Sequence, residues 1–229
     1  MTLKGVLFDF NGTLFFDNAM HIEAMRLMFP KYGLPVPTDD FLIRRCFGRT
    51  NATIYRENIK ADATPLETEA FGKQKEDLYR EFCLTHPEMF RLADGAEEML
   101  NALQKANVPF CLATGSDWSN VSFYIEHLGL DRWFSTENMV WDDGKYPGKP
   151  APDIYRLAAA KLGLSPAECL VYEDGTSGIL AANRAGAGAV IAVYEETYAS
   201  PLNEETRVNA VYHDHRNWSK ILAEYGLLK

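Results

Sequence analysis

The spacing of apolar residues divides the chain into a helical part and a part in which strands and helices alternate. From about residue 15 to residue 87, apolar residues recur at helical spacing and almost no strand pattern is found. This spacing predicts four helices, at about residues 20–28, 39–47, 50–58 and 66–85. From Leu92 onward, short apolar runs alternate with amphipathic segments, which is typical of a parallel sheet flanked by helices.

Within the alternating part, the pattern predicts strands and helices in turn. The predicted elements are a helix that begins at 94–97, a strand at 108–114, a helix at 117–128, a strand at 169–173, a helix at 175–185 and a strand at 189–193. Asp94 and Glu97 have the spacing of a capping box at the first of these helices.

The apolar run from Val6 to Phe10 fits the same sheet, so the helical part is an insert between the first strand and the rest. We therefore predict an α/β protein with a doubly wound parallel-sheet core and an inserted helical bundle. The core would comprise residues 1–15 and 88–229, and the bundle residues 16–87, with short hinges where the two meet.

The composition is that of an ordinary acidic globular protein, with 47% hydrophobic and 24% charged residues. The net charge of −9 would repel nucleic acid and anionic membrane surfaces, so a small anionic ligand would need a local positive site. No apolar stretch has the length of a signal peptide or membrane helix, and we expect a cytoplasmic location. The cysteines form no Cys-x-x-Cys pair, which favours buried free thiols over disulfides or zinc. They are Cys46, Cys83, Cys111 and Cys169.

Candidate chemistry begins where the first apolar strand ends, in the sequence Val-Leu-Phe-Asp-Phe-Asn-Gly-Thr-Leu at residues 6–14. Because alternate residues of an extended segment share a face, Asp9 and Asn11 should project together, with Gly12 and Thr13 turning the chain beside them. An anionic substrate could be bound there. The alternative is a buried strand that ends in an Asx turn.

A second polar segment, Thr114-Gly115-Ser116, follows the strand predicted at 108–114. Open α/β sheets bind ligands at the carboxyl ends of their strands. Thr114 would offer a hydroxyl and Gly115 a backbone amide to a bound phosphate. The alternative is a turn that caps the helix beginning at Asp117.

Two charged segments complete the candidate site. Lys149 precedes Pro150, which favours an extended backbone at the lysine, although most lysines are solvated surface charges. Glu173 and Asp174 end a predicted strand. With Asp9 they offer the hard oxygen ligands that suit Mg²⁺, and helix capping by Asp174 is the alternative.

Together, these segments resemble the four motifs of the haloacid dehalogenase-like (HAD) hydrolases, and they occur in the same order. They are similar to the Asp-x-Asp-Gly-Thr/Val motif, the Thr/Ser motif, the Lys-Pro-x-Pro motif and an acidic Glu-Asp motif, at residues 9–13, 114–116, 149–152 and 173–174. The Glu-Asp form resembles the β-phosphoglucomutase and phosphoglycolate phosphatase branch. The insert lies where that branch has a helical type-one cap, which the resemblance implies would close over the site.

The resemblance implies a Mg²⁺-dependent phosphohydrolase that acts on a small phosphorylated metabolite such as a sugar phosphate. Asp9 would attack phosphorus and become an aspartyl-phosphate, while Lys149 and Thr114 neutralise phosphoryl charge. The substrate would also contact Gly12, Thr13, Gly115 and Ser116. The implied metal ligands are Asp9, the main-chain carbonyl of Asn11, Asp174 and Glu173. We expect no nucleic-acid or membrane partner, and a monomer or weak homodimer.

Asn11 departs from the family pattern, in which a second Asp at this position transfers protons. An amide cannot act as a general acid or base, and losing such a group costs on the order of 10² to 10⁴ in rate. The protein could be a slow phosphatase that prefers good leaving groups, or another group such as His21 could transfer the proton. It could also be a silenced phospho-ligand binding protein or carry an engineered replacement. A β-phosphoglucomutase-like mutase is disfavoured, because a mutase needs an acid/base at this position.

Two residues of the insert are further candidates for substrate binding. His21 lies twelve residues after Asp9, a spacing that resembles the substrate-arranging histidine of the phosphoglucomutase branch; a structural hydrogen bond is the alternative. The segment around Arg49 resembles the specificity loop of the cap, and Arg49 could anchor distal oxygens of a substrate. Arg44, Arg45 and Arg49 could equally form a solvated face, which is the preferred interpretation of the first two.

Overall fold

The described residues of this computed structural model, 3–198, 200 and 202–228, fall into two units. One unit comprises the described residues of Met1–Phe16 and Leu92–Lys229, and the other comprises Asp17–Arg91. The first boundary lies after residue 16, where residue 15 was predicted, and the second lies after residue 91, where residue 87 was predicted.

The unit Asp17–Arg91 contains the four helices predicted from the apolar spacing. They are α1 (Asn18–Lys31), α2 (Asp39–Arg45), α3 (Asn51–Asn58) and α4 (Pro65–Thr85). Three of them begin after a threonine whose hydroxyl accepts an amide of the first turn, and at α4 Thr64 and Glu67 form a reciprocal capping box. A core of aromatic rings holds the bundle together, with Phe71 of α4 fully buried beside Tyr55.

The other unit is built on a six-stranded parallel sheet within the described residues. Its strands are β1 (Gly5–Phe8), β2 (Phe110–Asp117), β3 (Met139–Asp142), β4 (Cys169–Glu173), β5 (Ala189–Val193) and β6 (Ala210–Tyr212). They lie in the order β3-β2-β1-β4-β5-β6, so the predicted doubly wound α/β fold is confirmed. Every residue of β1, β4 and β5 is buried, as expected of parallel strands covered on both faces.

Helices α5 (Ala96–Lys105), α6 (Trp118–Leu128), α7 (Asp153–Lys161), α8 (Thr176–Ala185) and α9 (Trp218–Glu224) accompany this sheet. Alternate residues of β1 face opposite sides. Leu7 lies in a core cluster with Ile154 of α7, whereas Phe8 stacks on Tyr172 with ring centroids 5.2 Å apart. The sequence pattern did not predict β3, β6 or α9.

The strand register brings the ends of β1, β2 and β4 to the same edge of the sheet. Phe8 is opposite Leu112 on one side and Tyr172 on the other, and the amide of Asp9 donates to the carbonyl of Tyr172 at 3.0 Å. The polar residues that follow each strand therefore lie near one another.

The capping box predicted at the start of α5 is wrong. The helix begins one residue later than that spacing requires, with Gly95 as its N-cap at a φ of 85° and without a side-chain cap bond. A Cβ at Gly95 would lie 2.5 Å from the carbonyl carbon of His215. Glycine is required here because a C-terminal segment packs directly on this turn.

All four cysteines are buried and free, which confirms their prediction from spacing. In the described part of the chain, none of the helices combines the length and the apolar character needed to cross a bilayer.

Candidate active site

Three carboxylates lie together where β1 and β4 end. Asp9, Glu173 and Asp174 each offer an oxygen within 4.8 Å of the others, and Asp9 and Glu173 are buried. Neighbouring parallel strands with aligned ends explain this convergence, since Asp9 follows β1 directly and Glu173 is the last residue of β4. Buried carboxylates are costly unless they are paired or bind a cation.

Lys149 provides a largely buried positive charge for this cluster. Its Nζ lies 2.5 Å from Asp9 Oδ1 and 2.5 Å from Glu173 Oε1, and its side chain is only 14% exposed. The alternative interpretation as a solvated surface charge is therefore wrong. Burial lowers the pKa of Lys149, but the charges of Asp9 and Glu173 outweigh that effect and hold the pKa above its ordinary value.

The single ammonium of Lys149 does not balance the three carboxylates of the cluster, and the pKa of Asp9 reflects this. Burial and the neighbouring Glu173 raise the pKa of Asp9 to about 7, although the Lys149 ammonium acts to lower it. With three carboxylates against one ammonium, the cluster would carry excess negative charge when fully ionised. A divalent cation would offset this charge and keep Asp9 in its carboxylate form.

Each oxygen of the Glu173 carboxylate accepts two hydrogen bonds. Oε1 accepts from Lys149 and from the hydroxyl of Tyr155 at 2.9 Å, and Oε2 accepts the amides of Asp174 and Gly175, both at 2.9 Å. Burial raises the pKa of Tyr155 well above its ordinary value, so this hydroxyl remains a donor. The four hydrogen bonds match the roughly four lone-pair sites of a carboxylate.

The interpretation of Asp174 as a helix cap is also wrong. The N-cap of α8 is Gly175, which has no side-chain cap bond, and Glu173 is the acid that accepts the loop amides. Asp174 instead directs Oδ1 towards the hydroxyl of Thr13, at 3.2 Å.

Gly12 and Thr13 shape the loop that follows Asp9. The hydroxyl of Thr13 lies 3.3 Å from Asp9 Oδ2 and 3.2 Å from Asp174 Oδ1, so it can donate to either acid. Gly12 has a φ of 76°, and a Cβ there would lie 2.0 Å from Asp174 Oδ2. Only glycine fits this approach of the loop to the acid.

Asn11 is held by two hydroxyl groups. Its Nδ2 donates to the Tyr124 hydroxyl at 2.8 Å, and the Ser116 hydroxyl donates to its Oδ1 at 2.8 Å. Both partners can donate as well as accept, so the same pocket could hold a carboxylate. The sequence did not indicate this contact of Tyr124 with Asn11, because an aromatic residue of a predicted helix is usually a core residue.

The segment at 114–116 continues β2 and does not form the helix-capping turn. Thr114 is buried, and its hydroxyl accepts the amide of Ser116 at 3.1 Å. Asp117 is the actual N-cap of α6, with its side chain accepting the amide of Asn120 at 3.1 Å. Gly115 is exposed, and a Cβ there would meet no atom of the described residues within 4 Å.

In the helical unit, His21 belongs to a polar cluster that the sequence analysis missed. Its Nε2 lies 3.1 Å from Asp17 Oδ2, its Nδ1 lies 2.7 Å from Lys75 Nζ, and its ring stacks on Tyr79. The available signal was the repeat Phe71, Lys75, Tyr79 at four-residue spacing, which puts a lysine on a buried face of α4.

Two arginines of the helical unit, Arg44 and Arg49, pair with acids of the same unit. Arg49 forms an ion pair with Glu57. Arg44 pairs with Asp40, and both side chains are about three-quarters exposed, at 75% and 73%, as expected of a solvated face.

Comparison with known proteins agrees with this geometry. The family model for haloacid dehalogenase-like hydrolases matches residues 3–186. The chain is 29% identical to the fructose-1-phosphate phosphatase YqaB of Escherichia coli, over 81% of this chain and 94% of that protein.

Solved structures share the same fold. A HAD hydrolase of family IA, variant 3, from Entamoeba histolytica has a TM-score of 0.87 and 34% identity, covering 98% of both chains. A β-phosphoglucomutase from Clostridium difficile has a TM-score of 0.75 at 21% identity, covering 98% of this chain and 97% of its own. With its parallel sheet, its lysine between two buried acids and a family match over most of its length, this chain belongs to the haloacid dehalogenase-like hydrolases.

Proposed function

We propose that this protein is a Mg²⁺-dependent phosphohydrolase that acts on a small phosphorylated metabolite of the sugar-phosphate type. The supporting observation is the position of Lys149, which pairs with Asp9 and Glu173 at the end of the parallel sheet. This arrangement offers a carboxylate nucleophile beside a fixed positive charge. A relative that is a fructose-1-phosphate phosphatase supports the choice of substrate class.

The acidic cluster fits a divalent cation by its charge and its donor atoms. We assign Asp9, Asp174 and the main-chain carbonyl of Asn11 as the residues that would hold it, since carboxylate and carbonyl oxygens suit Mg²⁺. Glu173 would be a further ligand only if it gave up one of the four hydrogen bonds it accepts. When bound, the cation supplies positive charge that neutralises the carboxylates and the phosphoryl oxygens.

In the proposed reaction, an Asp9 oxygen attacks phosphorus in line as the bond to the leaving oxygen breaks, which forms an aspartyl-phosphate. Water then attacks the phosphorus and releases inorganic phosphate and the free carboxylate. Lys149, the Thr114 hydroxyl and amides of the loop after Asp9 would neutralise charge on the transferring group. The amides of Gly12 and Thr13 already donate to the carbonyls of Phe15 and Phe10, at 2.7 Å and 3.1 Å, so Thr13 would contribute through its hydroxyl. Gly115 and Ser116 remain proposed substrate contacts, although the Ser116 hydroxyl already donates to Asn11.

Asn11 would limit the reaction, because the departing oxygen must take its proton from water. The rate should therefore depend strongly on how much protonation the leaving group needs. Aryl phosphates would be cleaved faster than alkyl phosphates such as sugar phosphates.

The test is Mg²⁺-dependent phosphate release from p-nitrophenyl phosphate and a panel of sugar phosphates. Wild-type protein is compared with Asp9→Ala and Asn11→Asp. Activity in the wild type that disappears in Asp9→Ala supports the proposal, and activity that persists in excess chelator contradicts the metal assignment. If neither the wild type nor Asn11→Asp releases phosphate, the hydrolase proposal is wrong.

A second candidate is a phospho-ligand binding protein without turnover. The observation that favours it is the engagement of the Asn11 amide by the Tyr124 and Ser116 hydroxyls, in a position where no proton can be transferred by the side chain. Activity in Asn11→Asp alone, together with binding of phosphate by the wild type, would select this function. A phosphomutase would need the same missing acid/base.

We further propose His21 and Arg49 as substrate-selecting residues. His21 is held between Asp17 and Lys75, and Arg49 would have to exchange Glu57 for a substrate anion. Substitution of Arg49 by Met should raise KM for sugar phosphates with little change in kcat. An unchanged KM would contradict this role.

A further inference from the structure

A histidine near the C-terminus contacts the main chain of the loop that follows Asp9. His215 lies between β6 and α9, is buried, and has its Nε2 3.0 Å from the carbonyl oxygen of Thr13. The two residues are 202 positions apart in sequence. His215 also lies outside residues 3–186, the part of the chain matched by the family model.

The protonation state of His215 suits a single directed hydrogen bond. Burial lowers its pKa to about 4, so the ring is neutral near pH 7 and carries one N–H. A carbonyl oxygen only accepts, so that proton is on Nε2 and is donated to Thr13.

Thr13 is the residue through which this contact would affect chemistry. Its hydroxyl lies between Asp9 and Asp174, at 3.3 Å and 3.2 Å. The peptide before it belongs to Gly12, whose close approach to Asp174 leaves no room for a Cβ. A shift of the Thr13 carbonyl would therefore move the Thr13 hydroxyl relative to both acids.

His215 is itself held firmly in place. Its amide donates to the Asp94 carbonyl at 2.8 Å, and its carbonyl accepts the Trp218 amide at 2.9 Å. Its ring lies 5.5 Å from the ring of Tyr172, a buried residue of β4. Gly95 packs against the backbone of His215 so closely that a Cβ would not fit. The imidazole is thus a rigid support rather than a mobile surface group.

We propose that His215 is a positioning residue for the active site. By donating to the Thr13 carbonyl, it fixes the loop whose Thr13 hydroxyl lies between Asp9 and Asp174. This inference rests on the proposed phosphohydrolase function. It assigns the C-terminal segment a role in turnover that none of the four motifs includes.

The test compares two substitutions of the same residue. His215→Gln retains an N–H donor at the position of Nε2, whereas His215→Leu removes it. A misplacement of about 1 Å can cost on the order of 10² in rate, so we expect His215→Leu to lower kcat for p-nitrophenyl phosphate at least about tenfold with little change in KM. His215→Gln should recover most of kcat. Both variants are compared at a temperature at which unfolding curves show them folded.

His213 provides a matched control on the same segment. Its Nδ1 also lies within hydrogen-bonding distance of a main-chain carbonyl, that of Tyr194 at 2.8 Å, but the residue is exposed. His213→Leu should leave kcat unchanged. The inference is wrong if His215→Leu keeps the wild-type kcat, or if His215→Gln is as impaired as His215→Leu.

A binding measurement separates this inference from the proposed function. If the wild type releases no phosphate from any ester, the proposed function fails, and calorimetry with inorganic phosphate in the presence of Mg²⁺ decides the role of His215. His215→Leu should then bind phosphate about tenfold more weakly than His215→Gln, because the Thr13 hydroxyl and the loop beside Asp9 are no longer held in place. Equal affinities of the two variants would overturn the inference.

Discussion

Substitution of Gly178 by Ala should damage the protein, although the same change elsewhere in a helix is favourable. A Cβ at Gly178 of α8 would lie 1.6 Å from Glu173 Oε1 and 1.9 Å from its carboxyl carbon. Glu173 is 2% exposed and cannot move without giving up partners. By contrast, a Cβ at Gly72 of α4 would have Asn51 Cβ as its nearest neighbour, at 3.4 Å.

The two substitutions should change the free energy of unfolding in opposite directions. Replacing a helix-interior glycine by alanine usually stabilises by about 0.5 to 1 kcal/mol, which is the expectation for Gly72→Ala. In Gly178→Ala, the displaced Glu173 would lose at least two of the four hydrogen bonds it accepts. At about 1.5 to 3 kcal/mol for each bond to a charged group, the net destabilisation should be at least about 2 kcal/mol.

Urea denaturation of the wild type, Gly72→Ala and Gly178→Ala measures these free energies of unfolding. A lower midpoint at an unchanged slope identifies a loss of stability. Phosphate release should fall in Gly178→Ala, because Lys149 loses one of its two acid partners, and should be unchanged in Gly72→Ala. If Gly178→Ala proves as stable as Gly72→Ala, the inference that α8 packs too closely on Glu173 to admit a methyl group is wrong.

Further predictions concern single side chains of the same unit. His215 has a pKa lowered to about 4, against 6.5 ordinarily, so its contribution to stability is present above pH 6.5 and is lost as the unfolded chain takes up a proton. Between pH 7 and pH 5 the wild type should lose about 2 kcal/mol relative to His215→Leu, and urea midpoints that fall in parallel would contradict this. Lys149→Met leaves two buried carboxylates without their ammonium and should cost about 3 to 5 kcal/mol in urea unfolding at pH 8; a wild-type midpoint would show that the pairs contribute nothing. Asn11→Asp should raise kcat for sugar phosphates by up to about 10² to 10⁴ and kcat for p-nitrophenyl phosphate much less, whereas equal acceleration would refute a role in leaving-group protonation.

The sequence predicts the sheet and most of its site because both depend on local patterns. The run from Val6 to Phe10 is apolar enough to be a buried strand, and Asp9 interrupts it at the edge where ligands bind. Pro150 disfavours a helix at Lys149, but the extended backbone predicted there is wrong, since Lys149 lies in a turn that the Ala151 amide closes by donating to the Gly148 carbonyl at 3.1 Å. Short or half-exposed elements escape this approach, and β6 with its three residues is the clearest example.

What the sequence could not predict depends on contacts between distant segments. The N-cap of α5 is set by the packing of His215 against Gly95, so local capping signals at Asp94 mislead. The choice between Glu173 and Asp174 as acceptor of the loop amides depends on which way each side chain leaves the strand. The hydrogen bond from His215 to Thr13 joins residues that share no local pattern.

The four buried cysteines can be used to detect which unit of the chain unfolds first. Cys46 and Cys83 lie in the unit Asp17–Arg91, and Cys111 and Cys169 lie in the sheet-containing unit. Burial raises the pKa of Cys46 to about 11 and that of the other three thiols to about 12, so alkylating reagents that require a thiolate should label the native protein slowly. Each unit thus holds two thiols that become reactive only when that unit opens. The order in which the four are alkylated in rising urea would reveal which unit has the lower local stability.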